Sequence, residues 1–329
     1  MRRGVTQGVG APGRSEAAPA GTEPSDSTVD LLLLILLGAV WGSAYPVIRA
    51  GIVAGAPALL FAAARYGTTA LLLVPIAWLS RARRPSRAQL VPVAAFGGLF
   101  IVGLYGTFLY LGEQTTSGGL AAVLTASVAL WSALIGYRLL PRERFGRLEV
   151  AGLLVGFGGV AVLVLPELTS GATSTLVGSL LVLAAVLAFS AGGVFLRRSD
   201  PGDPSLWTLT VQFAVAGALT GAVGLALGEP RTLGHPSVTL PALAYLIAAP
   251  SILGYTIYFR LHHRVGPNRA NLVGYVGPIA GVLVGLVVFG ESVTAFEVGG
   301  MVLIVGGLVL VQRGRRAPTE PVPAPTALK

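Results

Sequence analysis

The sequence contains no cysteine, which excludes both a disulfide framework and a thiolate site. Only 11% of its 329 residues are charged, whereas soluble globular proteins carry about 25%. Hydrophobic residues make up 53% of the chain, and the mean hydropathy is +0.76. A chain with so few charges cannot cover a water-exposed surface, so we interpret it as an integral membrane protein.

Residues that perform hydrolysis or group transfer are equally scarce. The chain has three His, and neither His nor Asp occurs within its long apolar runs. It contains neither the H-E-x-x-H pattern of zinc hydrolases nor the G-x4-G-K-[ST] loop that binds nucleoside triphosphates. We therefore expect no enzyme, no ATP-driven pump, and no cofactor or metal.

Apolar runs occupy the middle of the chain, most of them close to the roughly 20 residues that a helix needs to cross a bilayer. Residues 1–30 and 313–329 lack apolar periodicity and are rich in small residues and Pro, so we predict two disordered tails. The fold class predicted is an all-α membrane protein with ten transmembrane helices. The predicted spans are 31–48, 57–79, 89–111, 117–137, 148–166, 176–196, 205–227, 240–259, 270–289 and 296–312.

The basic residues predict how these helices are oriented. In a soluble protein the net charge of +9 would suggest nucleic-acid binding. Here all but three of the 23 Lys and Arg residues fall in the tails or in alternate connections between spans, and the exceptions are Arg49, Arg65 and Arg231. This distribution follows the positive-inside rule. It predicts that both termini are cytoplasmic, and we expect no nucleic-acid partner.

The chain also matches itself at an offset of 148 residues. The segments Glu143–Gly159 and Glu291–Gly307 both fit E-x5-E-V-x-G-x5-G-G. Further identical residues align without a gap: Gly106 with Gly254, Tyr110 with Tyr258, and Arg49 with Arg197. We therefore predict an internal repeat.

Each repeat, at 31–166 and 176–312, contains five predicted spans. An odd number of crossings requires the second copy to enter the membrane in the opposite orientation. The charges agree, because the loop at 138–147 is rich in Arg and its counterpart at 286–295 has no Arg. Inverted repeats are typical of secondary transporters, whose substrate site lies between the repeats near the middle of the bilayer.

Four segments carry a family resemblance. They are GAVWGSAYPVIRAG at 38–51, PALLFAAAR at 57–65, GEQTTSGGLAAVL at 112–124 and VGPIAGVLVGLVVFGESVTAFEVGGMVLIVGG at 276–307. In this ordered set the chain resembles the EamA-type transporters of the drug/metabolite transporter superfamily, over about residues 31–312. The resemblance implies export or exchange of amino acids and related metabolites, without identifying a substrate. Leu130 stands where the second repeat has Pro278, which favours a straighter fourth helix.

Arg65 is the one full charge well inside a predicted span. A charge at this depth is costly and indicates a function by default. Two roles remain open at this point. Arg65 either binds a carboxylate or phosphate of the substrate, or it forms an ion pair with Glu113 at the outer end of the third helix.

Four further acidic residues lie at or near predicted helix starts: Glu143, Glu149, Glu291 and Glu297. We expect them to stabilise helix N-termini rather than carry protons. No carboxylate lies deep in a span, so we predict no intramembrane proton relay of the Asp or Glu type. Coupling through Glu113 at the membrane boundary is left open.

Aromatic and amide side chains in the spans complete the predicted substrate pathway, because a polar cavity supplies the hydrogen-bond partners that buried Tyr and Asn require. Some of them are expected to lie in the interfacial aromatic belt instead. Together with Arg65 and Glu113, the predicted pathway residues are Trp41, Tyr45, Tyr66, Tyr110, Tyr255, Tyr258, Asn271 and Tyr275.

The function predicted is a secondary transporter that exports or exchanges small polar metabolites, such as amino acids, across the cytoplasmic membrane by alternating access. The alternative is a flippase for lipids or amphiphiles, which requires an apolar groove open to the bilayer. The polar residues within the spans favour the first function. The expected partners are a small-molecule substrate and the lipid bilayer, and the sequence leaves open whether the chain forms a homodimer.

Overall fold

Helices account for nearly all of the structure, which is a computed structural model describing residues 24–139, 146–170, 173–199, 205–265 and 272–316. The described residues form helices and short connections without a strand. We number the ten main helices α1 to α10. They are α1 Thr28–Val53, α2 Ala58–Leu79, α3 Arg87–Gly112, α4 Gly118–Leu139, α5 Arg147–Ser170, α6 Thr175–Arg198, α7 Leu206–Ala226, α8 Pro236–Leu261, α9 Val273–Phe289 and α10 Ala295–Gly314.

These helices confirm the predicted fold class. Within the described residues, nine of them are long and apolar enough to cross a membrane, and α9 is apolar but only 17 residues long. Many of their large apolar side chains, such as Leu71, Leu154 and Val287, are exposed on the outside of the bundle, where a soluble protein would carry polar residues. Lipid is the solvent that such a surface requires.

The helix packing follows the internal repeat. Helices α2 and α7 begin at Ala58 and Leu206, which are 148 residues apart, and these two helices pack against each other. Helices α5 and α10 begin at Arg147 and Ala295, again 148 residues apart, and they also form a pair. Helix α1 packs against α9, and its counterpart α6 packs against α4, the counterpart of α9. In the same way, α3 contacts α6, and its counterpart α8 contacts α1. The fold therefore consists of two five-helix repeats, as predicted for an inverted pair.

Glycines at the crossing of α5 and α10 make the symmetry visible at the level of single residues. A Cβ atom on Gly152 would lie 2.6 Å from the carbonyl oxygen of Gly307, and one on Gly159 would lie 2.8 Å from that of Gly300. At the repeat offset, Gly152 is equivalent to Gly300 and Gly159 to Gly307, so the two contacts join equivalent pairs of residues. Because helices gain no hydrophobic free energy by associating in lipid, close backbone approach of this kind is what holds them together.

Two helices carry wide turns at related places. A π-helical stretch covers Val93–Leu104 in α3, and another covers Ile247–Leu253 in its counterpart α8. Shifted by the repeat offset, the second stretch overlaps the first. Such bulges are common at functional sites, because they redirect side chains within an otherwise regular helix.

The fourth helix differs from expectation. The absence of Pro at Leu130 favoured a straight helix, but α4 consists of Gly118–Thr125 and Val128–Leu139 joined by a turn. The hydroxyl of Thr125 donates to the carbonyl of Ala122, and that of Ser127 donates to the carbonyl of Leu124. Hydroxyl groups that bond the preceding turn in this way compete with the backbone ladder and bend helices. The absence of a proline therefore does not make α4 one regular helix.

Candidate functional site

Arg65 lies in the protein interior, with 9% of its surface exposed. It sits in α2, about 10 Å along the helix from the first residue at a rise of about 1.5 Å per residue. The start of α2 is fixed by Glu229, whose carboxylate accepts hydrogen bonds from the backbone N–H groups of Leu59 and Leu60. The guanidinium is thus held well inside the span and away from lipid.

The guanidinium of Arg65 joins helices from both repeats. Its Nε donates to the hydroxyl of Ser251 in α8 at 3.1 Å, and its Nη1 donates to the hydroxyl of Tyr110 in α3 at 3.3 Å. Its Cζ lies 5.3 Å from the ring centroid of Tyr66, within range of a cation–π contact. Among the described residues, neither carboxylate oxygen of Glu113 has a hydrogen-bond partner. The ion pair between Arg65 and Glu113 is therefore not formed here.

Pro250 explains why Ser251 is available to Arg65. A proline within a helix has no N–H and leaves the carbonyl four residues earlier, that of Leu246, without its usual donor. The hydroxyl of Ser251 donates to that carbonyl at 2.9 Å and accepts the bond from Arg65. The carbonyl of Pro250 accepts a bond from the indole nitrogen of Trp41 at 3.0 Å. The break in α8 thus supplies polar groups inside the membrane.

Aromatic rings surround this polar centre and come from five helices. The ring of Tyr66 contacts those of Tyr110 and Phe213, with centroids 6.2 and 5.8 Å apart. The Tyr255 ring lies 5.6 Å from that of Phe213 and 5.4 Å from that of Trp41. Rings at these distances attract one another, and they give the site a rigid wall with polar tips.

The wall continues on either side of Trp41 and Tyr66. Tyr258 stacks obliquely on Trp41 at 5.4 Å. The hydroxyl groups of Tyr45 and Tyr105 lie 3.0 Å apart in a hydrogen bond between α1 and α3. The structure therefore brings seven of the predicted pathway residues into one connected cluster: Arg65, Tyr66, Tyr110, Tyr255, Trp41, Tyr258 and, through α1, Tyr45.

Two glycines related by the repeat make room for this cluster. A Cβ atom on Gly106 would lie 2.5 Å from the hydroxyl of Tyr66, and one on Gly254 would lie 2.5 Å from the indole nitrogen of Trp41. Real Cβ contacts are never this short, so any larger residue at either position must displace an aromatic side chain of the site.

Glu113 directly follows α3 and is fully buried, although the sequence suggested a boundary position. The guanidinium of Arg49 bonds the backbone carbonyls of Glu113 and Gln114 rather than a carboxylate. Burial, and after it the nearby carboxylate of Glu291, raises the pKa of Glu113 well above its usual range, while Arg49 and Arg65 act in the opposite direction.

Three of the ten predicted pathway residues are not among these seven: Glu113, described above, Tyr275 and Asn271. Tyr275, in α9, lines a separate recess with Leu272, Val309, Gln312 and Arg313. Asn271 lies outside the described residues.

The other predicted acidic residues act at helix starts. Glu149 accepts a bond from the backbone N–H of Gly146, and Glu297 accepts one from that of Thr294. These bonds fit the predicted N-terminal role. Glu291 also serves a helix start, but that of α4 in the first repeat, since it accepts bonds from Gly118 and Gly119. Glu143 lies outside the described residues.

We call the end of the bundle where Glu291 binds the start of α4 the capped end. It consists of the connections 54–57, 113–117, 227–235 and 290–294. Bonds between the repeats close it. Glu291 binds the start of α4, Glu229 binds the start of α2, and the N–H of His235 donates to the carbonyl of Ala54. These bonds hold the two repeats together at this end.

Sequence reasoning missed several residues of the site: Ser251, Tyr105, Phe213 and Arg49. Only Ser251 left a signal, which is the Pro250–Ser251 pair in the middle of a span, where a proline frees a carbonyl for a neighbouring hydroxyl. Phe213 is an apolar residue in an apolar helix, so no pattern distinguishes its site-facing position from a lipid-facing one.

Comparisons with known proteins agree with this architecture. The sequence model of the EamA-like transporter family matches residues 29–165 and 176–313 of this chain. The chain is 28% identical over 294 residues to the uncharacterized inner membrane transporter YedA of Escherichia coli strain K12, covering 89% of this chain and 94% of that protein. It is also 28% identical over 295 residues to a probable amino-acid metabolite efflux pump of Salmonella typhimurium, covering 86% and 95%.

A solved crystal structure shares the fold with a TM-score of 0.59 at 22% identity, and the match covers 90% of this chain and all of that one. The family match spans both five-helix repeats, and the curated relatives align along almost their whole length. The chain therefore belongs to the EamA-like transporter family of the drug/metabolite transporter superfamily and is a multi-pass membrane transporter.

Proposed function

We propose that the protein is a secondary transporter that exports or exchanges small polar metabolites, such as amino acids, across the cytoplasmic membrane by alternating access. The observation that carries this proposal is the buried guanidinium of Arg65 at the meeting point of the two repeats. A cation at this depth persists only where a partner, water or substrate solvates it. Family membership supports transport, not hydrolysis or group transfer, and we propose no enzymatic activity.

The donors of Arg65 favour an anionic group on the substrate. A guanidinium has five N–H groups, and the bonds to Ser251 and Tyr110 use two of them. One N–H on Nη1 and two on Nη2 remain for the oxygens of a carboxylate or phosphate. The name of the Salmonella relative, an amino-acid metabolite efflux pump, supports a carboxylate.

The aromatic wall favours a small, partly apolar substrate. Tyr66, Tyr255 and Trp41 present flat faces for an apolar side chain or a cationic amine, and their polar tips offer hydrogen bonds. A flippase requires a groove that is apolar along its length, which this site does not offer. Transport of a lipid probe in place of polar metabolites would favour the flippase.

A direct test is efflux from proteoliposomes that contain the purified protein and a panel of radiolabelled amino acids and other small anions. We expect Arg65→Lys to weaken transport of the accepted substrate, because the lysine keeps the charge but loses the two-pronged geometry. Arg65→Lys must be compared at equal protein level. Unimpaired transport by Arg65→Ala would refute a substrate-binding role.

The orientation is part of this proposal: both termini face the cytoplasm and the capped end faces outside. The distribution of Arg and Lys supports it. Reporter fusions after Arg147 and after Glu297 are expected to report opposite sides of the membrane. If both fusions report the same side, the inverted arrangement is wrong.

A further inference from the structure

The acidic residues at the capped end, and those of α5 and α10 near it, fall into two classes. Glu229, Glu291 and Glu297 each accept at least one backbone N–H bond, and Glu167 accepts a bond from the hydroxyl of Ser179. Glu113 is the exception among the described residues. Its side chain has 0% exposure, and neither of its carboxylate oxygens has a hydrogen-bond partner.

The charges around Glu113 do not neutralise it. From α1, Arg49 bonds the carbonyls of Glu113 and Gln114, and from α2, Arg65 bonds Ser251 and Tyr110. From the α9–α10 connection, Glu291 contributes a second negative charge nearby. The other titratable groups that face it are Tyr45 of α1, Tyr66 of α2, and Tyr105 and Tyr110 of α3, which are neutral.

Leaving an ionised carboxylate in such surroundings is costly, because burial removes water and no well-formed hydrogen bond from the described residues takes its place. A protonated carboxyl avoids most of this cost. The environment thus favours a bound proton as long as the capped end is closed.

We propose that Glu113 is a proton-binding site coupled to the capped end: its carboxyl holds one proton while this end is closed and releases it when the end opens to water. The coupling follows from position, since Glu113 lies in the 113–117 connection that the cross-repeat bonds of Glu291 hold in place. Proton binding itself does not depend on the substrate, whereas its use in transport rests on the function proposed above.

The direction of the pH effect follows from linkage. The closed end raises the pKa of Glu113 above the value that a water-exposed Glu has, about 4.3. Below the pKa of the exposed carboxyl, protonation of Glu113 stabilises the closed end to the full extent. This stabilisation is lost as the pH rises through the raised pKa of the buried carboxyl. Between these two pKa values, the ratio of open to closed protein increases by up to about tenfold per pH unit, which is the limit when one proton is released.

The natural absence of cysteine provides the assay. Thr116→Cys introduces a single thiol at a site that is fully buried while the capped end is closed. Thr232→Cys provides an exposed control at the same end, and its labelling corrects for the pH dependence of the thiol reaction. Both variants of the full chain are labelled in detergent with a membrane-impermeant maleimide over a range of pH, without substrate.

We expect the corrected labelling of Thr116→Cys to rise with pH, and the added substitution Glu113→Gln to make it low and independent of pH. Glu229→Gln is the matched control, because it removes a carboxylate that is already hydrogen-bonded; it should change the overall level but retain the pH dependence. The proposal would be overturned if labelling of Thr116→Cys did not vary with pH, or if adding Glu113→Gln left the pH dependence of that labelling unchanged.

If Glu113→Gln is not monodisperse on size exclusion, Glu113→Asp decides instead. A displaced midpoint of the labelling profile supports Glu113 as the titrating group, and an unchanged midpoint contradicts it. Because the assay contains no substrate, its failure is separable from failure of the efflux assay, which tests the transport function alone.

Discussion

The two repeats share a scaffold but not the chemistry of the site. At the crossing of α5 and α10, equivalent glycines make equivalent contacts, so the symmetry is preserved where helices pack. In the centre it is lost: the residue equivalent to Arg65 is Phe213, and the one equivalent to Glu113 is Leu261. Both charged groups come from the first repeat, whereas the second contributes Ser251 and the aromatic residues Phe213 and Tyr255. In the function proposed above, the symmetric frame alternates between two states, and the asymmetric centre binds the substrate.

The largest expected effect separates Arg65 from its equivalent residue Phe213. Arg65→Ala should lower transport by about ten- to a hundredfold, because losing a hydrogen bond to a charged group costs about 1.5–3 kcal/mol. Phe213→Ala should act mainly on thermal stability, since it removes a buried ring that packs against Tyr66. Initial efflux rates and melting temperatures measured on the same preparations distinguish the two. Similar transport losses in both variants would remove the asymmetry between the repeats.

The second effect concerns Gly106 and Gly254, which are equivalent and both serve the site. Gly254→Ala displaces Trp41 and Gly106→Ala displaces Tyr66, so each should reduce transport several-fold. Gly193→Ala is a suitable control, because no atom lies within 4 Å of the added Cβ. The substrate concentration at half-maximal rate is the measurement. An effect from Gly193→Ala equal to the other two would show that helix glycines matter here for another reason.

The third effect tests the scaffold, where the repeats should behave alike. Gly152→Ala and Gly300→Ala each place a Cβ atom against the facing helix and should destabilise the protein by about 1–3 kcal/mol, the usual cost of overpacking. Gly158→Ala and Gly306→Ala, which have open space around the new atom, serve as controls. Thermal unfolding in detergent provides the comparison. A loss confined to one repeat would contradict the equivalence of the two crossings.

The smallest effect concerns Ser251, the polar contribution of the second repeat to Arg65. Ser251→Ala removes the hydroxyl that accepts from Arg65 and donates to the carbonyl of Leu246. Because Arg65 keeps its bond to Tyr110, transport should weaken only roughly fivefold, which corresponds to about 1 kcal/mol. Ser127→Ala is the control, because its hydroxyl bonds only the preceding turn of α4 among the described contacts. The ratio of transport rates at low substrate concentration reports the difference. Equal rates for the two variants would argue against Ser251 as a partner of Arg65.

The fold was largely predictable because it depends on features that a bilayer imposes on every span. Span length, lack of charge and the side preference of Arg are local properties, and they predicted ten helices. The repeat was predictable because 143–159 and 291–307 share paired Glu positions with the same spacing of Val and Gly. The interruption of α4 at residues 126–127 was not predicted, because hydroxyl groups bond the backbone there and no proline marks the place.

By itself, the sequence determined the membrane class, the number of helices and the repeat, and it singled out Arg65 as a candidate site residue, because a charge inside an apolar run is visible without coordinates. Only the tertiary structure decided which groups meet that charge. Ser251 lies 186 positions from Arg65, and Glu113, expected to pair with it, is instead buried with neither carboxylate oxygen hydrogen-bonded among the described residues. Partners brought together by helix packing leave no local pattern, because each helix is apolar around its whole circumference and its inward face is fixed only by its neighbours.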